Sequence, residues 1–394
     1  MKQEFQTDRI ADIAEVQTGP FGSQLHNKDY VADGTPIVTV EHLGEKRFLT
    51  QNLPCVTDKD RERLSKYSLQ KGDIVFSRVG SVDRCSFVSE EETGWLFSGR
   101  CLRVRPNSRM CIPEYLYYYL CSPRVKEQMR NIAVGATMPS INTKLLCEIP
   151  VSCPEIETQK KIAAILSSLD DKIEVNNQIN RNLEEQAKAI FKSWQKQCMV
   201  QTTIGDIVSN ILDYTPNLNS KVVLVNSSDV TKGVFEHHIL SDNQNLKGHF
   251  KKRFKKFDIL YSEIRPKNKH YAYVLFDTDQ YIASTRLMVL RNKPEKISSS
   301  LLYQYLISDE VREKFTTSTE TRSGTFPQGC FEDLARIAIS LNPIEKQKEV
   351  TSILDCICYQ IYCNHEENRH LCLLRDTLLP KLMSGEIEPS MINN

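Results

Sequence analysis

The chain has almost no net charge: 51 Lys and Arg stand against 50 Asp and Glu in 394 residues. A global field able to draw in nucleic acid or an anionic membrane is thereby excluded, so any such partner must meet a local patch. No apolar run approaches the length of a membrane-spanning helix, and the start, MKQEFQTDRIADI, lacks the apolar stretch of a secretory signal. The 13 cysteines are odd in number and follow no framework spacing. A disulfide scaffold is not expected; a reducing, cytoplasmic setting is. A glycine-rich cofactor loop, the Asn/Asp-Pro-Pro-aromatic motif of adenine methyltransferases and a GxxxxGK[ST] phosphate loop are all missing. Nor does a carboxylate–lysine nuclease cluster stand out. No catalytic residue is assigned.

What is present is a duplication. Asp73-Ile74-Val75-Phe76-Ser77 returns as Asp258-Ile259-Leu260-Tyr261-Ser262, 185 residues later. Ser98-Gly99-Arg100 returns as Ser284-Thr285-Arg286 and the tyrosine-rich Tyr115–Leu120 as Leu301–Leu306, both at an offset of 186. Thr137-Met138-Pro139 matches Thr325-Phe326-Pro327, and Gln159-Lys160 matches Gln347-Lys348, at 188. The ordered drift is that of a few loop insertions in a tandem repeat of domain size. Each half opens with short β-branched and aromatic runs bounded by Gly, Asp and Pro, such as GDIVFSRV and FDILYSEI. A short helix is expected next, in PEYLYYYLCSPRVKEQM and SSSLLYQYLISDEVREKF.

Each half closes on a long helical pattern. Apolar residues alternate four and three apart at Ile162, Leu166, Leu169 and Ile173, resuming at Leu183, Ala187, Ile190 and Trp194. The second copy has Val350, Leu354, Ile357 and Ile361, then Leu371, Arg375, Leu378 and Leu382. A sustained seam of this kind is a coiled-coil signature. Asn176 and Asn180 fill the gap in one seam, and Asn364 and Asn368 fill it in the other. Seam asparagines cost stability and fix register. Both pairs straddle the centre of their own helix, so antiparallel pairing brings Asn against Asn. The first helix is expected to be on the order of 55 Å long at ~1.5 Å per residue. Pro380 is expected to kink or end the second, leaving Leu382 off the seam.

Cys356, Cys358, Cys363, His365, His370 and Cys372 suggest a zinc site, but their spacing is heptad-like. That distributes them along helix faces, whereas structural zinc uses ligand pairs flanking a turn. No metal is assigned.

The segments ADIAEVQTGPFGSQL, GATMPSINTKLLCEIPV, PEIETQKKIAAILSSLDDKI and LRDTLLPKLMSGEIE resemble, in order and nearly end to end, DNA specificity subunits of type I restriction–modification systems. The resemblance implies an α+β chain with two strand-rich target recognition domains, each reading half of a split DNA site. Two long antiparallel helices act as spacer and as docking surface for modification subunits. The domains then fall at 1–155 and 199–342, the helices at 156–198 and 343–386, and a tail at 387–394. S-adenosylmethionine, ATP and Mg belong on partner chains: two methyltransferase subunits and ATP-dependent restriction subunits. This chain binds no cofactor itself. One departure is the second half, where NILDYTPNLNS stands in place of TGPFG. A different class of function, a coiled-coil scaffold without DNA readout, predicts no steep salt dependence of DNA binding.

The densest basic stretch runs from Asn245 to His270, with nine Lys or Arg and two acids. Lys251, Lys252, Arg253, Lys255, Lys256, Lys267 and Lys269 suit phosphates, while Arg265 and His270 suit base edges. In the first half the candidates are Arg78, Arg84 and Arg100, with Arg286 matching Arg100. The loop Thr18, Gly19, Phe21, Gly22, Ser23 and Gln24 joins them, its glycines permitting close backbone approach to phosphate. Thr137 and Thr325, in turns at the end of each domain, either position the domain on DNA or, the better reading, cap the next helix.

Overall fold

The structure is a computed structural model that describes residues 5–20, 22, 24–236, 238–244, 248–320 and 328–392. The chain divides into two compact units, Met1–Glu174 with Arg369–Asn394, and Val175–Asn368. Each is built on one plan, as the repeat requires.

In the first unit an antiparallel four-stranded sheet runs in the order Ala14–Thr18, Cys101–Pro106, Ile74–Ser77, Cys85–Phe87. Its counterpart in the second is Val208–Asn210, Leu287–Asn292, Ile259–Ser262, Tyr271–Tyr273. The register is kept as well: Ile74 faces Val104 and Ile259 faces Leu290. A second sheet accompanies each, built around Thr35–Val38 and Lys221–Val225, and both contain one parallel pairing. A two-strand ladder closes each domain, Gln6–Arg9 with Pro150–Cys153 and Val200–Thr203 with Ala338–Leu341.

The repeated Asp of the central strand has a buried task in both copies. Asp73 and Asp258 are 1% exposed, and each accepts a two-pronged arginine: Arg105 at 2.7 Å and Arg291 at 2.6–2.7 Å. Such forked pairs are among the strong hydrogen bonds and fix orientation. The repeated glutamine is equally structural. Gln159 and Gln347 are fully buried and donate to the carbonyls of Pro154 and Asn342, tying the start of each long helix to its domain.

The expected short helix is two helices in each copy. Pro113–Cys121 and Pro123–Ile132 break at Ser122, and Ser299–Ile307 and Asp309–Glu320 break at Ser308. Both serines are extended and turn their hydroxyl onto the carbonyl three residues back, Tyr119 or Tyr305, which ends the first helix.

The long helices run Ile156–Gln195 and Lys348–Met383. In the second unit Asn176 donates to Asn368 at 2.9 Å and Asn364 to Asn180 at 2.7 Å, so rising numbers on one helix meet falling numbers on the other. This is the antiparallel sense. All four amides are buried, with Glu367, Asn177 and Gln360 completing the network. Ile162 and Leu166 pack in the first unit; Val350, Leu354 and Ile357 pack in the second. Leu169, Ile173, Leu183, Ile361 and Leu371 are only half-buried, because the seam is not a strict heptad. Its inner line in the first unit includes Asp170 and Arg375, bonded at 2.8 Å.

Pro380 corrects the expectation placed on it. It lies inside the helix, which continues to Met383, and Leu382 is fully buried against the cluster holding Ile162 and Leu166. In the last turn a proline forfeits one intrahelical bond, and burial of Leu379, Leu382 and Met383 outweighs it.

Candidate nucleic-acid interface

Arg78, Arg84 and Arg100 in the first unit, and Arg265, Lys267, Lys269, His270 and Arg286 in the second, gather around one hairpin, at the end where the central strand leaves the four-stranded sheet. In the first unit residues 78–84 join Ile74–Ser77 to Cys85–Phe87; in the second, residues 263–270 join Ile259–Ser262 to Tyr271–Tyr273. Matching bonds hold both hairpins. Ser77 and Ser262 donate their N–H to the carbonyls of Arg84 and His270, each at 2.9 Å. Arg78 donates its N–H to the Arg100 carbonyl at 2.8 Å, and Glu263 to that of Arg286 at 3.0 Å. The serine hydroxyls turn onto Val79 and Ile264 carbonyls. Arg100, Arg265, Lys267 and Arg286 are exposed, whereas Arg78, Arg84, Lys269 and His270 are half-buried.

Backbone strain marks the second hairpin. Gly80, in the first unit, has φ +76°; its counterpart is Arg265, with φ +47°. Lys269, at φ +57°, and Lys232, at φ +49°, are also left-handed, and Lys232 donates its N–H to the Lys269 carbonyl. A left-handed residue with a Cβ costs roughly 1–2 kcal/mol. Three basic residues are held this way in one loop pair, a strain that the surrounding structure has to offset. Lys232 carried no signal in the sequence, because it stands outside the basic run.

The basic run itself does not form one patch. Lys252 is 3% exposed; its ammonium donates to the Leu287 carbonyl at 2.8 Å and faces Glu263 at 3.9 Å. It is therefore removed from the set of phosphate ligands: burial lowers its pKa, and Glu263 works against that fall. Arg253 is half-buried on the Asp279 carbonyl. Lys251 is exposed with Tyr214 beneath it. Lys255 and Lys256 are exposed but lie before Ile259, at the opposite end of the strand from Arg265, Lys267 and Lys269. Four strand residues separate the two groups by about 13 Å.

In the first unit the loop after Thr18 folds back on the same edge. Thr18 pairs with Leu102, and a Cβ on Gly19 would lie 2.2 Å from the Ser98 carbonyl oxygen. Gly19 thus serves internal packing, not phosphate approach, while Gly22 has open space around it. The Gln24 side chain accepts from the Tyr67 hydroxyl at 2.6 Å, which commits it to the fold. Phe21 and Ser23 lie outside the described residues, as does Thr325. Thr137 precedes the helix Thr143–Cys147, whose cap is Asn142, so the capping role expected of it belongs to that asparagine. His270 is half-committed too, its Nδ1 within 3.1–3.2 Å of the Val230 carbonyl and Thr231 hydroxyl.

The profile of the type I restriction modification DNA specificity domain matches residues 2–185 and again 202–371. The chain belongs to that family. It is 25% identical to the putative type I restriction enzyme MjaX specificity subunit of Methanocaldococcus jannaschii, over 98% of this chain and 94% of that one. It is 37% identical over 172 residues to the HindI specificity subunit of Haemophilus influenzae, covering 43% of this chain but only 37% of that protein. The solved S subunit of a type-I restriction-modification system from M. genitalium shares the fold, with a TM-score of 0.62 at 15% identity over 96% of both chains. Both matched domains of the specificity family carry the hairpin just described. Among the described residues no helix is long and apolar enough to cross a membrane, and no three His, Cys, Asp or Glu side chains are placed to hold a metal.

Proposed function

We propose that this specificity subunit reads a bipartite, asymmetric duplex site and directs modification and restriction subunits to it, with no chemistry of its own. Each unit presents one hairpin frame to one half-site. The observation that carries this is a hairpin whose strand-end bonds are kept while its side chains change: Arg78 for Glu263, Gly80 for Arg265, Arg84 for His270. Copies that only held partners together would have no reason to exchange charged side chains at matching positions of an exposed hairpin. On this reading the exposed arginines supply affinity through phosphates, and base contacts in the major groove fall to half-buried hairpin side chains. S-adenosylmethionine, ATP and Mg then belong to the partner subunits, which carry the methyl transfer and translocation. The connecting helices set the number of unread base pairs between the half-sites, because each reader meets the groove only at defined helical spacings. Mapping methylated bases in DNA from cells with and without the gene tests this. One interrupted motif with two unlike halves, lost with the gene, is the expected result; a continuous palindrome refutes it.

A further inference from the structure

We infer that the first residue of the hairpin, Arg78 in one unit and Glu263 in the other, reads a base in each half-site, Arg78 a guanine and Glu263 a cytosine. This deepens the function proposed above and rests on it. The two positions are the same position. Each follows the strand serine, donates its N–H to the carbonyl of a kept arginine (Arg100 or Arg286), and has its own carbonyl taken by a segment outside the hairpin. Ile141 N–H reaches Arg78 at 2.9 Å and Gly329 N–H reaches Glu263 at 2.8 Å. Only the side chain differs, and its charge is inverted.

A carboxylate is out of place on a surface that meets phosphates, where it repels them at close range. It is in place where it accepts a proton-bearing group. In the major groove the N4 amino group of cytosine is such a donor, while the O6 and N7 of guanine are paired acceptors for a guanidinium. The side chains are also held, which readers require. Arg78 donates from Nη1 to the Gly99 carbonyl at 3.0 Å, which fixes the guanidinium beside the hairpin. Glu263 is 19% exposed, with Lys252 at 3.9 Å; that ammonium is itself anchored on the Leu287 carbonyl. Burial of Lys252, which disqualifies it as a phosphate ligand, makes it a positioning residue for Glu263.

The test is methylation mapping in cells carrying full-length variants together with the partner subunits. Arg78→Lys keeps the charge and removes the fork. It is expected to relax one base of one half-site, with roughly tenfold to hundredfold weaker discrimination there, leaving the other half and the gap intact. Glu263→Gln is expected to relax one base of the opposite half-site, since an amide accepts from cytosine and also donates to other bases. Thermal melting of each purified variant separates misfolding from misreading. Should Arg78→Lys leave the motif unchanged, its role is charge alone and the inference falls. It falls as well if either variant melts like the wild type yet loses methylation at every sequence alike. If the wild type itself yields no interrupted motif, the proposed function fails instead, which is a distinct outcome.

Discussion

Arg375→Ala is expected to destabilise the first unit by about 3 kcal/mol, and the surroundings of the pair it breaks explain why the figure is neither smaller nor much larger. Asp170 is 7% exposed and Arg375 18%, so their 2.8 Å bond is shielded from water. Burial alone would lower the Arg375 pKa, but the hydrogen bond and charge of Asp170, helped by Asp376, hold it above its usual value. Breaking a buried pair by removing one member typically costs about 3–5 kcal/mol, because the other charge is left buried. Here Asp170 keeps the Tyr118 hydroxyl at 2.6 Å and Lys46 at 3.8 Å, which sets the low end.

The second unit supplies the control. The counterparts of Asp170, Arg375 and Tyr118 are Cys358, Ala187 and Gln304, of which the first two sit in an apolar core and the third touches Cys358. Transplanting that set, as Asp170→Cys, Arg375→Ala and Tyr118→Gln together, is expected to lie within about 1 kcal/mol of wild type, since buried pairs are replaceable by packed neutral groups. Asp170→Cys with Arg375→Ala alone should show a coupling of about 2 kcal/mol. Urea titration with hydrogen exchange resolved to 156–174 measures this locally, as a two-unit chain need not unfold in one step. A single-variant cost below about 1 kcal/mol, or costs that simply add, refutes the reasoning.

Other expectations follow from the same geometry. Arg265→Gly relieves a left-handed arginine, so the melting temperature should hold or rise while DNA affinity falls in a filter or anisotropy assay. Exchanging Lys251 and Lys267 for Gln should lower the slope of log K against log salt by about 1 for each phosphate no longer neutralised, whereas Lys255→Gln and Lys256→Gln, at the far end of the strand, should leave it alone. Replacing Asn176, Asn180, Asn364 and Asn368 by Leu should raise stability yet admit more than one helix register, visible as cysteine cross-links at shifted positions. His365 has its pKa lowered by burial, with Glu366 opposing. The unfolded chain therefore takes up a proton near pH 6.5 before the folded one does, and stability should be lost as pH falls below about 6.5. His365→Gln should flatten that dependence in urea titrations run on either side of that pH.

The duplication, the strand-rich domains and the asparagine-centred antiparallel helices were legible because each is written as a repeat or a period. The DIVFS and DILYS strands carried half of a further finding, the buried Asp73 and Asp258. Their arginine partners, Arg105 and Arg291, lay in another strand, and no one-dimensional pattern joins residues across a sheet. The site was less legible. Nine basic residues crowded into one stretch looked like one patch, yet strand alternation and the strand's own length scattered them, burying Lys252 and parting Lys256 from Arg265. Composition does not say which side of a strand a lysine faces. Gly80 against Arg265, and Gly72 at φ +89° against Phe257 at φ +74°, were visible as substitutions but not as strain, which exists only in the backbone angles.

A duplicated chain also has to tell its two long helices apart, and the side chains that do so are those departing from the repeat. The asparagines cannot discriminate. Asn176 and Asn180 match Asn364 and Asn368, so either helix facing a second copy of itself would still pair amide with amide. Asp170 and Arg375 can. In an antiparallel pair of first helices, Asp170 would face Ala187, and in a pair of second helices Arg375 would face Cys358. Each arrangement leaves a charge buried without its partner, a penalty of several kcal/mol per ion. Only the pairing of first helix with second satisfies both charges while keeping the four amides in register. The asparagines thus choose the register and the ion pair chooses the partner, which is why the repeat is kept at one set of positions and broken at the other.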